Sequence, residues 1–294
     1  SKIRNCLRQG RELYSAGKSG TLMVKPLNLF YSLTSYAYAT IVLNNPIRYR
    51  IEQLPKSHGV QFKKGDPLIV FGGDSPDGTF TELISAFLTN YHKEKTIDIV
   101  FNNTQSTYFI NKNRVSIGMG TLLSMVPEIR EFYKLVTGRP SRTHPLQFST
   151  VSEHRDTFLE FRIGDGTVLP DKNIIEQSFH GFDIDNLHGK YNIKVPLIDV
   201  HRCSPCVISD AYGKFWYVEN PLHPCVFSEF HIHFLLIFAY SNIMRYSPDS
   251  WGSLLLNDAD SDISLITRKY ISALESKFLY LVSRSISRFS PFIA

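Results

Sequence analysis

The sequence predicts an α+β protein with helices at both chain ends packed together and a central mixed, mainly antiparallel strand region. Three observations predict it. Apolar residues recur at helical spacing near the N-terminus and again from about residue 226 onward, while the middle holds short apolar runs bounded by Gly, Pro and Asn. The 294 residues are 43% hydrophobic and 20% charged, a globular composition long enough to bury a substantial core. Aromatic residues are abundant, with 21 Phe and 15 Tyr, which suits well-filled strands.

The elements follow in order. Residues 1–16 place Ile3, Cys6, Leu7, Gly10, Leu13 and Tyr14 on one helical stripe with a basic outer face, and Gly17 and Gly20 are expected to end it. In "VKPLNLFYSLTSYAYATIVLNNP", Pro26 suits a first helical position and Pro46 follows the end. Apolar residues surround this helix, so it is expected at the centre of the core. Next, "GVQF", "PLIVFGG", "TIDIVFN" and "STYFI" read as strands and "TFTELISAFLTNYH" as a helix. "TLLSMVPEIREFYKLVTGRP" reads as a helix interrupted at Pro127 and closed by Gly138 and Pro140. Strands follow at "LQFSTVS", "FLEFRIG", "NIKVPLI", "CVISDA" and "KFWYVEN", with a short helix at "KNIIEQSF". The last third is helical: 226–245, the short "PDSWGSLLL", and a long amphipathic helix over 262–288. In that last helix Ile263, Ile266, Tyr270, Leu274, Phe278 and Leu281 form one stripe.

The chain reads as one α+β domain over 1–294. Its natural subdivision is a helical part, 1–46 plus 226–294, and a strand-rich part, 47–225. "RPSRTHP" (139–145) is the best boundary candidate and reads more simply as an exposed basic loop. Four Cys, at 6, 203, 206 and 225, are too few for a disulfide scaffold and suit a reducing cytoplasm. The first residues are polar and basic, unlike a secretory signal. The apolar run in "FHIHFLLIFAYSNIM" (230–244) is shorter than the roughly 20 residues a membrane span needs. The expectation is a cytoplasmic protein with no membrane attachment. A net charge of +5 permits an anionic partner without requiring one.

Several motifs resemble chemistry and fail on spacing. "AGKSG" (16–20) has Glu12 where a phosphate-binding loop needs Gly, and it follows a helix rather than a strand. "DADSD" (258–262) starts like a calcium loop, but Ile263 and Lys269 stand where Gly and Glu are required. Asp260 or Asp262 instead suits the cap of the last helix. His201, Cys203, Cys206, His223 and Cys225 are the residue types that ligate zinc, yet only one Cys-x-x-Cys pair is present and the second pair is His-x-Cys. Buried structural thiols and loop histidines are the preferred reading, so no metal and no cofactor are expected. His231 and His233, two apart on a helix, point to different faces. Glu160 and Arg162 alternate on a strand and should pair on one face. Arg139 and His144 have the spacing of some helical RNases, but Pro140 and Pro145 argue against a helix there. Basic residues are scattered (Arg48, Arg50, Lys56, Lys63, Lys64, Lys112, Arg114, Arg139, Arg142, Arg284 and Arg288), with Tyr49 or Tyr108 available for stacking, and a solvated surface explains them best.

"SNIMRYSPDSWGSLL" (241–255) reads as a rigid helix-to-helix corner. Arg245 ends one helix, Pro248 opens the next, and Trp251 folds back over the junction with Tyr246 beside it. This stretch resembles the Arg-Tyr-x-Pro-x-x-Trp corner of the bacterial YaaC-like family. "VKPLNLFYSLTSYAYATIVL", "HGVQFKK" (58–64) and "GTLLSMVPEI" (120–129) resemble further segments of that family, in family order. The resemblance implies a bacterial cytoplasmic protein and singles out Lys25, Tyr31, His58, Arg245, Tyr246 and Trp251 as a polar candidate site. The Cys/His cluster lies outside the family pattern, and Asn28 and Ser32 make the first matched helix unusually polar.

With no complete catalytic motif, the expectation is a binding subunit for a protein partner, with nucleic acid as a secondary candidate ligand; the family resemblance implies a phage-defence context. The alternative is a metal-independent RNase or other nucleic-acid-processing enzyme using His58, Lys25 and Arg245.

Overall fold

A computed structural model of the chain describes residues 2–44, 50–73, 78–91, 113–153, 156–166, 168–202, 204–223, 225, 227–256 and 262–286. The chain begins with helices α1 (Lys2–Ser19) and α2 (Lys25–Asn44), then the hairpin β1 (Val60–Lys63) and β2 (Leu68–Gly72). Helix α3 (Thr79–Tyr91), strand β3 (Arg114–Gly118) and helix α4 (Met119–Ser124) come next. Helix α5 (Arg130–Thr137) leads into the long hairpin β4 (Thr143–Glu153) and β5 (Asp156–Ile163). Helix α6 (Lys172–Ser178) precedes β6 (Ile184–Leu187), β7 (Lys190–Pro196), β8 (Val207–Ser209) and β9 (Phe215–Val218). Helices α7 (Glu229–Tyr246), α8 (Pro248–Leu256) and α9 (Asp262–Ile286) follow. Helices at both ends and antiparallel strands between them make this an α+β protein. The segments "TIDIVFN" and "STYFI" lie outside the described residues.

The chain divides into two compact units. The first comprises residues 1–123 with 229–288, and the second is built on 124–228.

In the first unit α2 packs against α1, α3, α7 and α9, as expected of a helix that is apolar all round. Its polar residues have local explanations. Ser32 donates to the Gly10 carbonyl oxygen of α1 at 2.6 Å, and the α1–α2 contact is close because Gly10 lies under the Tyr36 ring. A Cβ at Gly10 would stand 2.7 Å from that ring. Gly17 is also a packing residue rather than a terminator: α1 runs through it to Ser19, and a Cβ there would meet Leu29 and Asn28. Gly20 closes the helix, donating its N–H to the Ala16 carbonyl. The three-stranded sheet β1–β2–β3 is antiparallel throughout. Helix α9 buries Ile266, Tyr270, Leu274, Phe278 and Leu281, but Ile263 at its first turn is 65% exposed.

Charged groups also lie inside this unit. Glu229 in the first turn of α7 pairs with the Lys277 ammonium of α9. Arg284 and His233 each approach the same carboxylate at 3.7 Å. Burial alone would push the Glu229 carboxyl up, but Lys277, His233 and Arg284 outweigh it and hold the group down at about 2. Lys25 pairs with Glu275 at 2.6 Å and donates to the Lys18 carbonyl, tying the start of α2 to α9 and to the end of α1.

The second unit is a six-stranded antiparallel sheet in the order β6-β7-β5-β4-β9-β8. Its buried face carries Leu146, Leu159, Phe161, Ile163, Tyr191, Ile193, Val195 and Tyr217, covered by Ile175 and Phe179. The opposite face holds the Glu160–Arg162 pair at 2.9 Å, as strand alternation predicts. Strands β3 and β6 were not anticipated: each is short and has few apolar residues, so pairing with a neighbour defines it more than its own pattern does.

Candidate functional site

The candidate site lies in the first unit where the loop before β1 meets α2 and α7. Two glycines set the position of His58. Gly59 has φ of +67°, a left-handed conformation that suits glycine, and Gly78 packs directly onto it. A Cβ on Gly78 would lie 2.1 Å from the Gly59 backbone. The carbonyls of Ser57 and His58 accept the backbone N–H groups of Thr79 and Phe80, so this loop also satisfies the first turn of α3. The His-Gly pair is therefore a backbone device that presents an imidazole.

That imidazole stands edge-on to Phe30 at 4.8 Å, to Phe238 at 6.0 Å and to Tyr31 at 6.4 Å between ring centroids. Its Nδ1 is buried and makes no hydrogen bond among the described residues. Burial first, and the Arg245 charge second, hold His58 below the usual histidine range, so it is neutral at physiological pH. Phe238 and Arg245 are seven residues apart on α7, two turns along one face, which brings the guanidinium toward His58.

The Arg245 guanidinium lies 5.0 Å from the Tyr246 ring centroid, and its Nε donates to the Ser241 carbonyl at 3.3 Å. Among the described residues it has no carboxylate partner. Tyr246 is 73% exposed and Tyr31 37% exposed. The result is a half-buried patch of one fixed positive charge, one neutral imidazole and two accessible phenol rings. It suits a carboxylate or phosphate anion.

The other two candidates do different work. Lys25 is occupied by Glu275 and Lys18, and no contact brings it to His58 or Arg245. Trp251 is fully buried beside Tyr240, with its indole N–H donating to the Met23 carbonyl at 3.2 Å. It locks the corner to the turn before α2. The corner thus combines a structural anchor, Trp251, with a half-buried Arg245 and an exposed Tyr246. Phe30 and Phe238, which frame the imidazole, were not singled out from sequence; the seven-residue step from Phe238 to Arg245 was the available signal.

The remaining motifs resolve individually. Cys206 and Cys225 are thiols that burial pushes up to about 12. His223 is lowered by burial and then by His180. Cys203 lies outside the described residues, as does the side chain of His201, and among the described residues no group of three potential ligands gathers. His231 faces Phe80 while His233 stacks on Tyr270, on different sides of α7. His144 is on β4 rather than a helix, buried with Nε2 2.9 Å from Glu219, whose other oxygen binds Arg142. Arg114 and Arg284 are likewise engaged, with Gln61 and Glu229. Asp262 opens α9, while Arg48, Tyr49, Tyr108, Lys112, Asp260 and Arg288 lie outside the described residues. No described helix is long and apolar enough to cross a membrane.

No curated protein and no solved structure matches the chain. A family model described as YaaC-like Protein matches residues 1–286, which takes in both units and every residue of the His58–Arg245 patch. By that match over nearly its whole length, the chain belongs to the YaaC-like family.

Proposed function

We propose that this chain is a binding subunit that recognises an anionic group of its partner, a protein and also nucleic acid, at the His58–Arg245 patch. The observation that supports the reading is the Arg245 guanidinium, which sits beside an exposed ring with no carboxylate to neutralise it among the described residues. A half-buried guanidinium is stabilised when an incoming carboxylate or phosphate supplies the missing charge. The test is purification of the tagged chain and of Arg245→Gln from native cells, with and without nuclease. A stoichiometric partner kept by the parent chain and lost from the variant supports the reading; the same complement on both proteins sinks it. The phage-defence setting rests on family context, and equal plating of phage on cells with and without the gene would remove it.

One observation favours a metal-independent RNase as the second reading. A neutral, half-buried His58 under the influence of the Arg245 charge has the form of a general base next to a phosphate clamp. In that reading the half-buried imidazole of His58 takes the proton of a ribose 2′-hydroxyl, the 2′ oxygen attacks phosphorus and the bond to the 5′ oxygen breaks. The leaving oxygen then needs a proton, and Tyr31 is the only described phenol in contact with His58. Binding is preferred because no second acid is held in place. RNA left intact at high protein concentration removes the enzymatic reading, and cleavage lost in His58→Ala establishes it.

A further inference from the structure

Resting on the binding reading above, we infer that the anion taken by this patch is an internal phosphodiester of a single-stranded nucleic acid, with one unpaired base stacked on Tyr246. The first argument is charge. Arg245 supplies a fixed positive charge, His58 is neutral, and among the described residues no other charged group acts on the imidazole. One positive charge matches the single negative charge of a phosphodiester. A terminal phosphate carries about −1.5 to −2 at neutral pH and would leave the excess unbalanced in a half-buried setting.

The second argument is the ring. Tyr246 follows Arg245 directly at the end of α7, and 73% of its surface remains exposed. The guanidinium lies over the ring, leaving the rest of its surface to solvent. A planar base can stack there, and stacking does not depend on base identity. In a duplex each base already has both faces covered, so a single strand is the form that fits. Acidic protein side chains would satisfy Arg245 and leave the ring unexplained. The partly exposed ring of Tyr31 stands 6.4 Å from the same imidazole, and its hydroxyl makes no hydrogen bond among the described residues, leaving it available to a second phosphate or sugar oxygen.

The experiment is fluorescence anisotropy of the full chain with 5′-fluorescein-labelled 20-nucleotide dT and rU strands and a blunt duplex of equal length. Loss of one stacked base should weaken single-strand binding about 5- to 100-fold in Tyr246→Ala, while Tyr246→Phe keeps it. Arg245→Gln should flatten the dependence of log K on log salt by about 0.7, the contribution of one phosphate of a single strand. Tyr246→Ala binding like the parent chain, or duplex bound as tightly as single strand, overturns the inference. Inorganic phosphate, followed by the His58 imidazole resonances in NMR, separates the two levels. If phosphate perturbs His58 but Tyr246 is irrelevant to oligonucleotide binding, the anion patch stands and its nucleic-acid assignment falls. If neither phosphate nor oligonucleotide perturbs His58, both fall.

Discussion

Replacing Lys277 by Met should destabilise the first unit by about 3 kcal/mol at pH 7, and the deficit should shrink as the pH is lowered toward 5. Lys277 and Glu229 are both buried, and Glu229 is one turn or less from the start of α7. Breaking a buried ion pair from one side typically costs about 3–5 kcal/mol, because the remaining charge is left in a low-dielectric interior. Here the lower end applies, since Arg284 and His233 remain at 3.7 Å from the Glu229 carboxylate. The pH dependence has a definite sign. In the parent chain Glu229 is held down at about 2, below its unfolded value. Its contribution is therefore complete above the unfolded carboxylate range and fades only as the pH falls through that range toward 2. Without Lys277, burial becomes the larger influence and the folded carboxyl moves up. The folded state then binds the extra proton, so acid relieves the defect. The double variant Glu229→Gln/Lys277→Met should recover most of the loss, because both charges are gone. Urea unfolding at pH 7 and pH 5 measures this, with Trp251 fluorescence in a Trp216→Phe background reporting on the first unit alone. A Lys277→Met deficit that is absent, or unchanged by pH and by the second substitution, would refute the reasoning.

Three further outcomes are expected. Gly78→Ala forces a methyl to within 2.1 Å of the Gly59 backbone and should cost about 2 kcal/mol or more, read as a lowered Tm together with altered His58 NMR resonances. Trp251→Ala should lose about 3–5 kcal/mol in urea unfolding, from the cavity and the lost hydrogen bond to Met23, whereas Tyr246→Ala should lie within about 0.5 kcal/mol of the parent chain. His58 should titrate below the usual histidine range in NMR, and Arg245→Gln should move it upward by removing a like charge; because its folded value is depressed, neutral His58 favours folding above the unfolded range and opposes it as pH falls below that range. A downward move in Arg245→Gln would show that Arg245 does not act on the imidazole.

What the residues determine by themselves is local. The apolar surround of α2 marked it as central, and its Pro26 start follows from the fixed φ of proline and its missing N–H. Alternation in "FLEFRIG" paired Glu160 with Arg162 because side chains repeat every second residue on a strand. The Arg-Tyr-x-Pro-x-x-Trp corner was legible as a junction for the same kind of reason. Tertiary structure decided which polar residues meet. Lys25, His58 and Arg245 looked equivalent in sequence, yet Lys25 is taken by Glu275, 250 residues away, while His58 packs against α2 and α7 within the influence of the Arg245 charge. The spacing of Gly59 and Gly78 carries no sign that their backbones touch. Likewise Glu229 and Lys277 become an interior pair only once α7 and α9 are packed. Periodicity along one element reports which side faces inward; it holds no information about which residue of a distant element will stand opposite. That selection follows from packing, where a buried charge must find its partner from elsewhere in the chain.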